Sequence, residues 1–105
     1  MIAVIGAGPV GGYLASKVND VCIYEEHKEI GKPVQCTGVV TGRIFDYVKF
    51  SNKFVVNKIK KVRLHSMCNE FSFNLKNTEY VIDRTEFDRN IINDAVSKGA
   101  KLVKG

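Results

Sequence analysis

Gly6-Ala7-Gly8-Pro9-Val10-Gly11 is a G-x-G-x-x-G run, a spacing that can seat a pyrophosphate against the backbone. The first glycine allows a tight turn, the second lets backbone N–H groups approach the phosphates, and the third lets a helix pack closely on a strand. Glu25 lies 19 positions beyond Gly6. That is close to the separation of about 20 residues expected of a carboxylate that accepts a ribose 2′-hydroxyl and repels the 2′-phosphate of NADP. Glycines also serve plain turns, so the run by itself could be a strand–turn–helix with an accidental Glu25. Three features agree on dinucleotide binding: the strand before the run, the helix after it, and the acidic residue at the end of the next strand.

The elements that would position these residues can be read locally. Ile2 to Ile5 is a short apolar run ending at glycine, as a buried parallel strand does. Pro9 fits the first turn of a helix, where its missing N–H is no loss, and the helix N-terminus adds partial positive charge for an anion. Val10, Tyr13, Leu14 and Val18 are predicted to form the helix's apolar face, and Val21 to Tyr24 a second buried strand. Residues 26–42, with Gly31, Pro33, Gly38 and Gly42, read as a long functional loop. Ile44 to Phe50 is predicted to be a short helix. Lys58 to His65 and Glu70 to Leu75 form a hairpin turned by Ser66-Met67-Cys68-Asn69, and Tyr80 to Asp83 is a further strand. The last helix is capped by Thr85, carries Glu86 and Asp88 in its first turn, and buries Phe87, Ile91, Ile92 and Ala95. It ends at Gly99, after which Leu102-Val103 starts another strand.

Length and composition bound the function. The 105 residues allow one domain. Apolar runs of a few residues cannot span a bilayer, and no basic stretch precedes the first of them, which argues against a cleaved signal peptide. Sixteen basic against eleven acidic residues give a net charge of +5. The local cluster Lys53, Lys58, Lys60, Lys61 and Arg63 alternates with Val55, Val56, Ile59, Val62 and Leu64, the pattern of a solvated strand face. No aromatic–basic interleaving of the single-strand-binding kind accompanies it, so no nucleic-acid partner is expected. Cys22, Cys36 and Cys68 are odd in number and far apart, which disfavours zinc and a disulfide framework and fits a reducing, cytoplasmic setting. Cys22 reads as core. His27 and His65 read as lone surface histidines, and no metal role is expected of either.

Proline after the second glycine makes the phosphate loop resemble that of FAD-binding flavoproteins of the glutathione-reductase and aromatic-hydroxylase types. Gly31-Lys32-Pro33-Val34-Gln35-Cys36-Thr37-Gly38 resembles the G-x-P-V-x-C loop of the FAD-dependent geranylgeranyl reductase family, which includes the digeranylgeranylglycerophospholipid reductases. Tyr80-Val81-Ile82-Asp83-Arg84-Thr85-Glu86-Phe87-Asp88-Arg89 resembles that family's Y-x-x-D-R-x-x-F-D-R segment before a helix. Order and spacing of all three agree, and they cover nearly the whole chain.

The resemblance implies an α/β fold: the N-terminal part of a single Rossmann-like FAD-binding βαβ domain over 1–105, with a parallel sheet. An antiparallel strand excursion at 54–78 would start a substrate-side sheet, and 80–105 would return to the dinucleotide layer. It implies FAD phosphates at Gly6, Gly8, Pro9 and Gly11, the adenosine ribose on Glu25, and the flavin beside Cys36, Thr37 and Gly38. Arg84 would lie near the pyrophosphate or ribityl chain, and its guanidinium could pair with phosphate oxygens; a surface arginine paired with Asp83 or Glu86 is the other reading. Arg43 is either a second phosphate contact or simply exposed. Cys36 is implied to be catalytic, as a thiol that donates a proton to an alkene carbon; the alternatives are a packing or flavin-contact residue, or an incidental one.

The implied activity is reduction of isoprenoid double bonds in geranylgeranyl lipids of archaeal membranes, with an electron donor the residues do not name. A lipid substrate implies peripheral membrane contact. Another flavoenzyme of the superfamily, of hydroxylase or halogenase type, and an inactive truncated nucleotide-binding chain are the alternatives. The sequence departs from the family pattern in a short Gly11–Glu25 stretch, in one residue rather than two between Cys36 and Gly38, and in lacking the later acidic G-D motif.

Overall fold

The computed structural model describes all 105 residues. Strand β1 (Ile2–Ile5) leads through the loop into helix α1 (Pro9–Ala15), and the chain returns as β2 (Val21–Glu25). After the intervening segment, helix α2 (Arg84–Ser97) and strand β6 (Lys101–Lys104) complete a parallel sheet in the order β1-β2-β6. Register pairs Ile2 with Val21, Val4 with Ile23, and Ile23 with Leu102. The residues of this sheet and its helices, Met1–Cys36 and Arg84–Gly105, form one compact unit; Thr37–Asp83 forms a second. The α/β class with a parallel sheet and an antiparallel excursion is therefore as predicted. The excursion is wider than 54–78, because strand β3 (Val39–Thr41) lies inside what the sequence presents as a loop.

In the first unit, Val4, Val21 and Ile23 meet Ala15, Ile92, Ala95 and Ala100 to form the core, with Ile30 closing it. Ile23 and Ile92 are fully buried, each contributing roughly 1.5–3 kcal/mol relative to exposure. The predicted apolar face of α1 is corrected in part: Val18 packs against the core as expected, but Val10 and Leu14 do not. Val10 is 83% exposed and Leu14 47%, while Gly12 and Ala15 are buried. The reason is helix–helix approach: a Cβ on Gly12 would stand 2.7 Å from Ile91 Cγ2 and 2.9 Å from Ile92 Cδ1. Only small residues fit where α1 meets α2, so counting large apolar residues selects the wrong face. β1 is likewise less buried than predicted. It is an edge strand, and the sheet face carrying Ile5, Tyr24 and Val103 is exposed.

α2 follows its sequence pattern closely. Phe87, Ile91, Ile92 and Ala95 are buried, and Gly99 takes φ +105°. Thr85 is corrected from a cap to a residue inside the first turn, and its Oγ1 donates to the Gly31 carbonyl at 3.0 Å. That bond holds the segment before Cys36 against the start of α2.

The second unit is an antiparallel sheet, β3-β5-β4, built from β3, β4 (Val55–His65) and β5 (Glu70–Ile82), with a 3-10 turn at Gly42–Asp46. That turn replaces the helix predicted over Ile44 to Phe50. The strand predicted at Tyr80 to Asp83, assigned to the dinucleotide layer, is instead the end of β5, where Val81 pairs with Val39 and Tyr80 with Val40. Lys76-Asn77-Thr78, which lie between the two strands expected at Glu70 to Leu75 and Tyr80 to Asp83, belong to β5, since a strand in a largely solvated sheet tolerates polar residues. In the hairpin's outer half, Val62 pairs with Phe73 and Leu64 with Phe71 on one face; Lys61, Arg63 and His65 lie on the other. The basic residues are thus solvated as expected, and bulges near Val55 and Ile59 break the strict alternation. No helix is long and apolar enough to cross a membrane.

The turn from β1 to α1 depends on close approach. Gly6 has φ +98°, in a region that side chains disfavour. A Cβ on Gly11 would run into the Gly6 carbonyl oxygen and stand 3.1 Å from Val4 Cγ1, whereas one on Gly8 meets nothing within 4 Å. Gly11→Ala is therefore expected to cost about 1–3 kcal/mol, and Gly8→Ala less than about 0.5 kcal/mol. Urea denaturation of the two variants measures this, and equal losses would contradict the packing account.

Candidate dinucleotide-binding site

The loop and Glu25 are joined directly. Parallel pairing of β1 with β2 brings the two strand ends level, and the Gly6 N–H donates to the Tyr24 carbonyl at 2.8 Å. Glu25, one residue on, turns its carboxylate to the loop, where Oε2 accepts the Ala7 N–H at 2.7 Å. Oε1 accepts the His27 backbone N–H at 3.0 Å and His27 Nδ1 at 2.8 Å. These bonds, the His27 backbone first and Ala7 next, outweigh desolvation and hold the Glu25 carboxyl below the usual glutamate range. A carboxylate has about four acceptor positions. Three are occupied, which leaves one for a ribose hydroxyl. The side chain is only 13% exposed, so that position opens into a small cleft.

The cleft, about 150 Å³, is lined by Ala7, Gly8, Glu25, His27, Lys32 and Asp88 among others. Complete small-molecule sites measure roughly 300–1,000 Å³. The hollow suits one end of a dinucleotide and not the whole of it. Pro9 occupies the first turn of α1 as predicted, but the helix has only seven residues. The backbone of the loop, more than a helix dipole, is what a phosphate would meet. A roomier hollow of about 640 Å³ belongs to the second unit, where Arg43, Asp46, Lys76 and Glu79 line it with both signs of charge. It contains no residue of the phosphate loop, and the chemistry points to the smaller cleft.

Arg84 pairs with Asp88, a partner that the sequence reading did not single out for it. Its Nε and Nη2 donate to the two Asp88 carboxylate oxygens at 3.0 and 3.2 Å. Asp88 is a buried charged residue that lines the cleft, so Arg84 cancels a negative charge that would oppose a phosphate. Asp88 is also the main reason that the guanidinium holds its proton more tightly than usual, with a smaller contribution from Cys36 beside it. Arg84 thus has both the Asp88 carboxylate and the exposed Cys36 thiol as neighbours. A neighbouring cation favours thiolate. Arg84 is far from Cys36 in the sequence and is brought to it by the fold.

Thr37 and Gly38 belong to the second unit. Gly38 has a structural task there: it adopts φ +75°, its carbonyl accepts the Ile82 N–H at 2.8 Å, and a Cβ would collide with the Ile82 carbonyl. Arg43 is exposed in the 3-10 turn. His27 and His65 are corrected from lone histidines, since His27 bonds Glu25 and His65 Nδ1 lies 3.7 Å from Glu70. The Glu25-x-His27 spacing at a strand end, where alternate residues share a side, is the signal that could have revealed the first pair.

Two outcomes follow. Arg84→Gln is expected to destabilise the chain by about 1–3 kcal/mol, less than a fully buried pair because the arginine is partly exposed. The double variant R84Q/D88N should regain most of that loss in chemical denaturation. Stability supplied by Glu25, whose carboxyl titrates lower in the folded chain than in the unfolded one, is present above the ordinary glutamate range and lost as pH falls through the folded value. Glu25→Gln should therefore flatten the acid limb of a denaturation-midpoint profile; an unchanged limb would remove this role.

No family model matches the sequence. Digeranylgeranylglycerophospholipid reductase of Methanothrix thermoacetophila is 33% identical over 97% of this chain and 29% of its own length. The enzyme of that name from Methanocella arvoryzae is 34% identical over 96% of this chain and 28% of its own length. The chain therefore spans less than a third of the curated relatives it matches. Among solved structures, a geranylgeranyl bacteriochlorophyll reductase-like protein from Thermoplasma acidophilum superposes with TM-score 0.83 at 24% identity, covering 98% of this chain and 29% of that one. The myxobacterial chondrochloren halogenase, a variant of the FAD-dependent halogenases, gives TM-score 0.69 at 18% identity over 98% of this chain and 28% of that one. Both share the fold.

Proposed function

Starting from a chain similar along almost its whole length to the N-terminal part of digeranylgeranylglycerophospholipid reductases, we propose that it is the nucleotide-binding front of an FAD-dependent oxidoreductase that saturates isoprenoid double bonds of geranylgeranyl lipids. The observation that carries the nucleotide reading is the Glu25 carboxylate bonded to the Ala7 N–H of the glycine loop, with an acceptor position left over. FAD would rest its adenosine ribose on Glu25 and its phosphates on the Gly6–Gly11 backbone. When bound and reduced it supplies hydride; the protein supplies binding and orientation. The Cys36 Sγ–H would give its proton to the second alkene carbon, completing addition of H⁻ and H⁺ across the double bond. Arg84, beside Cys36 and anchored by Asp88, would stabilise the thiolate left behind. Thr37 and Gly38 follow Cys36 in the loop that would face the flavin. The setting is cytoplasmic, with peripheral membrane contact through the lipid and a separate electron donor.

Likeness in fold to an FAD-dependent halogenase keeps a second flavoenzyme reading in view, and Cys36 in its Pro33-Val34-Gln35-Cys36 setting favours the reductase. Titrating FAD into the purified chain tests the first step. Flavin fluorescence should be quenched, and Glu25→Ala should weaken binding by about tenfold or more, the worth of one hydrogen bond to a charged group. Equal affinity would defeat the ribose assignment, and absence of quenching or thermal stabilisation would defeat FAD binding by this chain. With dithionite as reductant and geranylgeranyl lipid as substrate, mass spectrometry should find a gain of two hydrogens per bond reduced, lost in Cys36→Ala. A hydroxylated or halogenated product would reassign the enzyme.

A further inference from the structure

We propose that His27 sets how the Glu25 site treats a substituent on the adenosine ribose 2′-position: with the ring neutral the site rejects a 2′-phosphate, and with the ring protonated it admits one. The proposal rests on the nucleotide reading above and names a further ligand class, 2′-phosphorylated adenosine nucleotides. The geometry is specific. His27 Nδ1 lies 2.8 Å from Glu25 Oε1, and since a carboxylate only accepts, Nδ1 carries the hydrogen and Nε2 is the nitrogen that gains or loses a proton. The ring is 47% exposed and lines the same cleft as Ala7, Gly8 and Glu25. It can therefore take up a proton from water without giving up its bond to Glu25.

The charges around the ring leave Glu25 as the one that decides. From the loop, Glu29 faces the cleft but is paired with Lys32 at 3.0 Å. From α2, Asp88 faces it but is held by Arg84. From the strand end, Glu26 lies 4.0 Å from His27 Nδ1, with its own side chain 86% exposed to screening solvent. Lys28 follows in the chain and lines the outer side of the loop with His27. Two of the three carboxylates on the cleft wall are thus already balanced by a cation. Glu25 is balanced only when His27 is charged. A 2′-phosphate then meets a neutral pair instead of a bare carboxylate, and the repulsion removed at a few ångströms in a partly screened cleft is worth on the order of tenfold in affinity.

The test compares adenosine 5′-monophosphate with adenosine 2′,5′-bisphosphate, which differ only in the 2′-phosphate. Binding to the whole chain is followed by amide chemical shifts at about pH 8 and about pH 5.5, an interval that brackets histidine side chains in general. In the wild type the preference for the monophosphate should fall by about tenfold on acidification. His27→Gln carries only the phosphate's own titration, near pH 6, and should show a clearly smaller fall. His27→Lys should show the relaxed preference at both pH values, and unchanged amide shifts outside the cleft establish that both variants are folded. A fall in His27→Gln equal to the wild type's would overturn the proposal while leaving monophosphate binding intact. A chain that binds neither nucleotide would overturn the nucleotide reading and this proposal with it.

Discussion

The hydrogen bond from the Ala7 N–H to Glu25 Oε2, beside that from the Gly6 N–H to the Tyr24 carbonyl, ties the two halves of the βαβ unit together at the glycine loop. Parallel pairing brings the ends of β1 and β2 level and holds the Gly6 N–H, and the Glu25 carboxylate takes the Ala7 N–H that follows. Burial in a low-dielectric environment makes an unpaired N–H costly, and the carboxylate answers that cost while staying charged. The turn then packs because Gly11 lets α1 descend onto the Gly6 carbonyl. Gly12 in turn lets α1 approach Ile91 and Ile92 of α2. The core of the first unit is what these two close approaches enclose.

The same carboxylate organises the electrostatics. The cleft beside the glycine loop is lined by the acidic side chains of Glu25, Glu29 and Asp88, each with a partner of its own. Arg84 occupies Asp88, and Lys32 occupies Glu29. Their neutralisation leaves Glu25 as the acceptor with a remaining position. Arg84 also serves two neighbours at once, since the guanidinium held by Asp88 is the cation next to Cys36. The cleft and the thiol therefore share a residue, and altering one changes the charge felt by the other.

The surface left open is part of the same picture. Ile5, Tyr24 and Val103 are exposed on one face of the parallel sheet, and Leu64 and Phe71 on one face of the β4–β5 hairpin. Parallel sheets are ordinarily covered on both faces. The cleft beside the glycine loop is small, about 150 Å³. The curated relatives are more than three times as long as the stretch they share with this chain.

Local order was legible from the residues alone wherever one short-range rule governed it. Gly6, Gly8, Pro9 and Gly11 announced the loop, Phe87, Ile91, Ile92 and Ala95 announced the buried stripe of α2, and Ser66 to Asn69 announced the hairpin turn. Glu25 was found by its distance along the chain from Gly6, because a βαβ unit of fixed geometry converts sequence separation into position. What tertiary structure alone decided was which groups meet. Gly12 and Ala15 face inward, because a second helix arrives there. Tyr80 to Ile82 continue β5, because β3 offers them a partner. Arg84 meets Cys36, because Thr85 holds the segment before Cys36 against the first turn of α2. Periodicity and spacing encode a residue's direction along its own element and its neighbours three or four positions away, as Asp88 is for Arg84; contacts between elements far apart in sequence, such as Arg84 with Cys36, arise only when the folded chain brings them within the few ångströms over which a hydrogen bond or an ion pair acts.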